Sequence, residues 1–133
     1  MTKKNRQTLT EKAALKSLAL LWQELNDTHF LGNLKKCPKF IISKKVKYLA
    51  AYSFSWKGRK IFGTQIIMSH QLFYHAPQKI FIDALLHEMA HQFCIEVLNL
   101  KNEEHGKIWQ LICKAIGANP APQSFWRITT KFS

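Results

Sequence analysis

The sequence predicts an α+β fold, and three observations carry that reading. A helical apolar pattern opens the chain, short aromatic and β-branched runs fill its middle, and two further helical patterns follow. At 133 residues the chain has the length of one domain. A single domain is expected, with its core over about residues 8–117 and a basic, aromatic tail over 118–133. That length can bury a core without disulfide staples.

The first helix is expected to begin between Thr8 and Glu11, where Thr8-Leu9-Thr10-Glu11 has the form of a capping box. Ala14, Leu18, Leu21, Trp22 and Leu25 then recur at helical spacing. Asn26 and Asp27 lie near its end, and Gly32-Asn33 marks a turn. Phe40-Ile41-Ile42 and Tyr48 to Phe54 read as strands. Trp56 to Arg59 reads as a turn, and Ile61 to Met68 as a third strand with Gly63 at a bulge. Pro77 suits the first turn of a long helix. Ile80, Ala84, His87, His91, Cys94 and Leu98 fall on one stripe of it. A polar break at Asn99 to Glu104 precedes a last helix over about His105 to Ile116, stopped by Gly117.

Composition narrows the function classes. Apolar residues make up 47% of the chain and charged residues 21%, which excludes disordered, collagen-like and low-complexity classes. The net charge of +12 points to an anionic partner, nucleic acid before membrane. Cys37, Cys94 and Cys113 form no C-x-x-C pair, so they are expected as reduced thiols. No apolar run approaches the ~20 residues of a membrane span. The protein is expected in the cytoplasm, near the nucleoid in a bacterium or in the nucleus of a eukaryote, as a monomer.

The residues with chemistry to perform are His87-Glu88-Met89-Ala90-His91, an H-E-x-x-H inside the strongest predicted helix. Positions four apart lie on one face, so both imidazoles can reach one metal ion, with zinc the expected cofactor. Glu88 stands beside His87 without needing to be a ligand. It can take a proton from a metal-held water and pass it to a leaving amine. Two imidazoles on a core-facing stripe are costly unless something compensates them, and a metal does so. A third ligand must come from elsewhere. Cys94 is seven residues from His87, about 10 Å along the helix, and Glu96 points to another face. His105 is the leading candidate, with Glu103 and Glu104 as competitors. His29, His70 and His75 have no metal spacing. Asp83 is a first-turn acid or an acceptor that orients His87.

These stretches in order resemble the SprT-like zinc metalloprotease domain, the group that includes Spartan. Leu21-Trp22-Gln23-Glu24-Leu25-Asn26 through Phe30-Leu31-Gly32-Asn33-Leu34 resembles the family's opening helix and turn. Ile66-Ile67-Met68-Ser69 with Gln71-Leu72 resembles the strand before its active helix, and Leu85 to His91 resembles that helix. His105-Gly106-Lys107-Ile108-Trp109 resembles the segment that supplies the third ligand. The resemblance implies a zincin-like fold, with His87, His91 and His105 as zinc ligands and Glu88 as general base. It also implies cleavage of proteins bound or crosslinked to DNA. Many members carry a cysteine-rich zinc ribbon that has no counterpart in these residues, so DNA contacts are expected from the protease domain itself.

A basic surface is the expected place. No acidic residue lies between Asp27 and Asp83, and lysines there interleave with aromatics. Lys44, Lys45, Lys47, Trp56, Lys57, Arg59 and Lys60 are the expected nucleic-acid contacts. Cations follow phosphates and rings stack on bases, which suits single-stranded DNA without sequence preference. The expected activity is zinc endopeptidase cleavage of DNA-bound proteins. The alternatives are a DNA-binding module with a zinc site and little peptidase activity, and a general cytosolic metallopeptidase independent of DNA.

Overall fold

The structure is a computed structural model that describes residues 1–120. The chain runs α1 (Lys3–Gln7), α2 (Glu11–His29), β1 (Lys39–Ser43), β2 (Ala50–Lys57), β3 (Lys60–Ser69), α3 (His70–His75), α4 (Gln78–Gln92) and α5 (Lys107–Ala115). A π turn over Phe93–Val97 extends α4. The fold is α+β, as expected. Residues 121–133, most of the expected tail, lie outside the described residues. Among the described residues no helix is long and apolar enough to cross a membrane.

The N-terminus departs from expectation. Helix α2 is capped by Thr10, whose hydroxyl accepts from Ala13 N–H, so Thr8 to Glu11 is not a capping box. The capping box sits further upstream, between Thr2 and Asn5, and starts the unexpected α1. That short helix carries Arg6 into the interior, where it is fully buried. Its guanidinium donates to the carbonyls of Leu72, Phe73 and Ala76 and to Gln78 Oε1. It also lies 4.2 Å over the Phe81 ring. Burial lowers its pKa to about 10, so it stays cationic at neutral pH. One side chain thus ties the end of α3 to the start of α4.

The sheet order is β1-β3-β2, with β1 parallel and β2 antiparallel to β3. Phe40 and Ile42 stand opposite Ile66 and Met68, while Ala50 and Tyr52 stand opposite Met68 and Ile66. These residues share one face, because strand side chains alternate. Helix α2 packs against β1 and α4 against β2 to cover it. The expected turn at Trp56 to Arg59 is tighter: Trp56 and Lys57 still belong to β2, and only Gly58-Arg59 turn. Gly58 takes a φ of +60°, which a two-residue hairpin favours. The expected bulge is present at Gly63, φ +61°, where β3 has two residues against one of β2.

Helix α4 is the core element. Ala84 to Ala90 are all buried, so its apolar coat is nearly continuous rather than a stripe. Pro77 is its N-cap and not its first helical residue. Asp83 is the sixth residue of the helix, so it is not in the first turn. The stripe breaks before Leu98, which is 42% exposed. The π turn is the reason: its i→i+5 bonding, with Leu98 N–H on Phe93 carbonyl, shifts the helical phase.

Replacing Arg6 by Met is expected to destabilise the protein by about 2–4 kcal/mol, because several buried carbonyls lose their donor. Urea unfolding of the two proteins side by side measures this, and an unchanged midpoint would contradict it.

Candidate metal centre

Helix α4 presents His87 and His91 one turn apart on the face that meets α5. His105 approaches from the loop before α5; it is not part of that helix, whose N-cap is Gly106. The three Nε2 atoms converge. His105 Nε2 is 3.3 Å from His87 Nε2 and 3.2 Å from His91 Nε2, and all three candidate ligand atoms lie within 4.8 Å of one another. Two nitrogens on a tetrahedral zinc, each about 2.0–2.1 Å from it, stand about 3.3–3.4 Å apart. The donor set fits such an ion. Among the described residues this is the one His/Cys/Asp/Glu group with metal-holding geometry.

The electrostatics agree with a ligand role, which requires neutral imidazole. Burial lowers His87 and His91 to about 3 each, and neighbouring rings push in the same direction. His105 is lowered too, by burial, with Glu104 acting against the shift. Glu88 is 2% exposed, and its Oε2 is 3.8 Å from His87 Nε2.

A cleft of about 520 Å³ opens over this floor. Glu88, His91 and His105 line its polar side, and Ala50, Ala51, Tyr52, Phe54 and Ile95 its apolar wall. Tyr52 donates its hydroxyl to Glu96 in the π turn. Burial raises Tyr52 and Glu96 alike, with the hydrogen bond adding to the first and opposing the second. Glu96 therefore faces the sheet, not the metal ligands. Gln92 continues inward, accepting from Trp22 Nε1 at 2.9 Å and donating to the Lys36 carbonyl at 3.0 Å.

The loop carrying His105 is held by Glu103. Its carboxylate accepts from the N–H groups of Ile108 and Trp109 at 2.8 and 3.2 Å, which caps the start of α5. Glu103 is thus a capping residue and not the third ligand. Gly106 permits this: a Cβ there would lie 2.9 Å from both the Glu103 carbonyl oxygen and its Cδ. Glu104 is exposed and takes a φ of +49° immediately before His105.

The expected nucleic-acid residues fall into two groups. Lys44, Lys45 and Lys47 are exposed on the loop between β1 and β2, at the Ser43–Ser69 end of the sheet. Trp56, Lys57, Arg59 and Lys60 form the hairpin at the other end of β3, about 30 Å away for ten residues. The sequence placed these residues in one patch, but the strand order separates them. The hairpin group meets the segment that leads to His105, where Asn99 donates to the Arg59 carbonyl at 3.3 Å, while the phenol of Tyr48, next to Lys47, is raised by burial and by the charge of Glu88. Tyr52, Phe54 and Trp56 form a continuous row along β2 from the cleft to this tip, with centroids 5.9 and 6.0 Å apart.

All three cysteines are free. Burial raises Cys94 to about 11 and Cys113 to about 12. His70 and His75 stand together near Tyr74, on the rim of a second cleft that His87, His91 and His105 do not line.

The sequence model of the SprT-like family matches residues 18–130. The chain belongs to the SprT-like family. Membership carries a zincin-like, metallopeptidase-type domain, and the three converging histidines are its candidate metal ligands. No curated protein matches the chain.

The metal-free SprT-like protein is expected to lose stability as the pH falls from about 6.5 towards 3. His87 and His91 are harder to protonate folded than unfolded, so the unfolded state binds more protons in that window. Their contribution is complete above pH 6.5 and drains below it with a slope approaching two protons. Chemical denaturation of metal-free protein at a series of pH values measures that slope, and a flat profile would contradict it.

Proposed function

We propose that this chain is a zinc-dependent endopeptidase that cleaves proteins bound or crosslinked to DNA. The observation that carries the peptidase reading is Glu88, buried at the edge of the three-histidine cluster and facing an open cleft. A structural metal site has no use for a carboxylate placed there, and it normally takes a fourth protein ligand. Zinc, when bound, would polarise the scissile carbonyl and acidify the attacking water. Glu88 would take a proton from that water and deliver it to the leaving amine. The wall of Tyr52, Phe54 and Ile95 would exclude bulk water and hold a polypeptide against the centre.

The DNA component rests on charge and placement. The hairpin carries Lys57, Arg59 and Lys60 beside an exposed Trp56, whose ring adjoins that of Phe54 in the cleft wall. Cations for phosphates beside a ring for bases suit a single strand. A DNA strand held there would present its bound protein at high effective concentration. A DNA-independent peptidase and a DNA-binding module without activity are the other outcomes of the tests below.

Glu88→Gln is expected to abolish cleavage of a DNA-binding protein while zinc remains bound, assayed with and without single-stranded DNA. Wild-type cleavage by that variant would remove the general-base role. DNA-independent turnover by the unmodified protein would leave a general metallopeptidase. A second expectation separates the two basic groups. Replacing Lys57, Arg59 and Lys60 by Ser should weaken single-stranded DNA binding and flatten the slope of log affinity against log salt by about two. The same change at Lys44, Lys45 and Lys47 should do less to DNA-stimulated cleavage. Equal loss from both triplets would refute the hairpin assignment.

A further inference from the structure

Trp109 lies in α5 and is completely buried. Its indole touches all three candidate ligand rings. It stacks on His91 at 16° with centroids 5.1 Å apart. It meets His87 edge to face at 4.5 Å and 66°, and His105 at 4.7 Å and 74°. Its Nε1–H points at the His87 carbonyl, 3.4 Å away. The residue is itself held at both ends of the contact, since Glu103 accepts from its backbone N–H.

We infer that Trp109 is the positioning residue of the metal centre, an indole platform that fixes three imidazole rings so that their Nε2 atoms converge. The inference rests on reading the three histidines as a metal site. A free imidazole turns about two side-chain bonds, and stilling three of them on binding has an entropic cost. The indole removes that freedom beforehand. A flat face for one ring and edges for two others is a shape no aliphatic side chain supplies. Groups that orient ligands in this way typically set metal affinity over a 10–100-fold range.

The test uses the full chain and Co(II) as the probe, because its absorption reports ligand geometry. Affinity comes from competition with a chelator, the spectrum from titration, and stability from thermal unfolding of metal-free protein. Trp109→Leu is expected to weaken Co(II) binding by about 10–100-fold and to alter the spectrum. Trp109→Phe keeps a ring but loses the Nε1–H and part of the edge contact, and should weaken binding by about threefold. Phe73→Leu removes an equally buried ring beside Phe81 and should lower stability without moving affinity or spectrum. Folded Trp109 variants with unaltered affinity and spectrum would overturn the inference and leave Trp109 a packing residue. If the Leu variant does not fold, the Phe variant decides in the same way. If the unmodified protein takes up neither Co(II) nor Zn(II), the metal reading itself falls, and the inference with it.

Discussion

Three uncharged imidazoles must be brought to one point inside the protein, and most of the architecture follows from that requirement. A helix can supply two of them, because residues four apart share a face. It can do so in the interior only if it is wrapped on nearly every side, as α4 is from Ala84 to Ala90. Strand β2, α3 and α5 supply that wrapping. Burial then keeps the rings in the protonation state in which they can donate lone pairs.

The third ring arrives by a different device. Its loop pays in backbone conformation, with Asn99 at φ +56° and Glu104 at +49°, neither of them glycine. The one glycine in that segment, Gly106, is used for a close approach instead, leaving room for the Glu103 side chain. The result is a short chain of dependence. Glu103 caps α5, α5 places Trp109, and Trp109 meets the ligand rings. The hairpin touches this segment at one point, where Asn99 donates to the Arg59 carbonyl.

Much of this was legible from residue order. The spacing of His87 and His91 and the helix that carries them needed only periodicity, and Gly63 announced its bulge. His105 emerged from chemistry and family resemblance together, although its helix starts two residues later than the pattern suggested. The failures have physical causes. Arg6 was unreadable because its partners are carbonyls far along the chain, and no local pattern encodes them. The π turn left no trace in composition, yet it moves Leu98 out of the stripe and turns Glu96 towards Tyr52. The basic residues looked contiguous in sequence, and strand order put them at opposite ends of a sheet. Glu103 was weighed as a ligand because its charge is visible in sequence and its hydrogen bonds are not.

The two buried thiols also bear on which ions the centre can keep. Cys94 and Cys113 lie close to the active helix, where burial holds both in the protonated form. A protonated thiol is a poor ligand and a poor nucleophile. Oxidants meet the same barrier, since sulfenic acid formation begins from the thiolate. The fold thus keeps an all-nitrogen cluster of borderline donors chemically distinct from the protonated sulfur atoms in its own core.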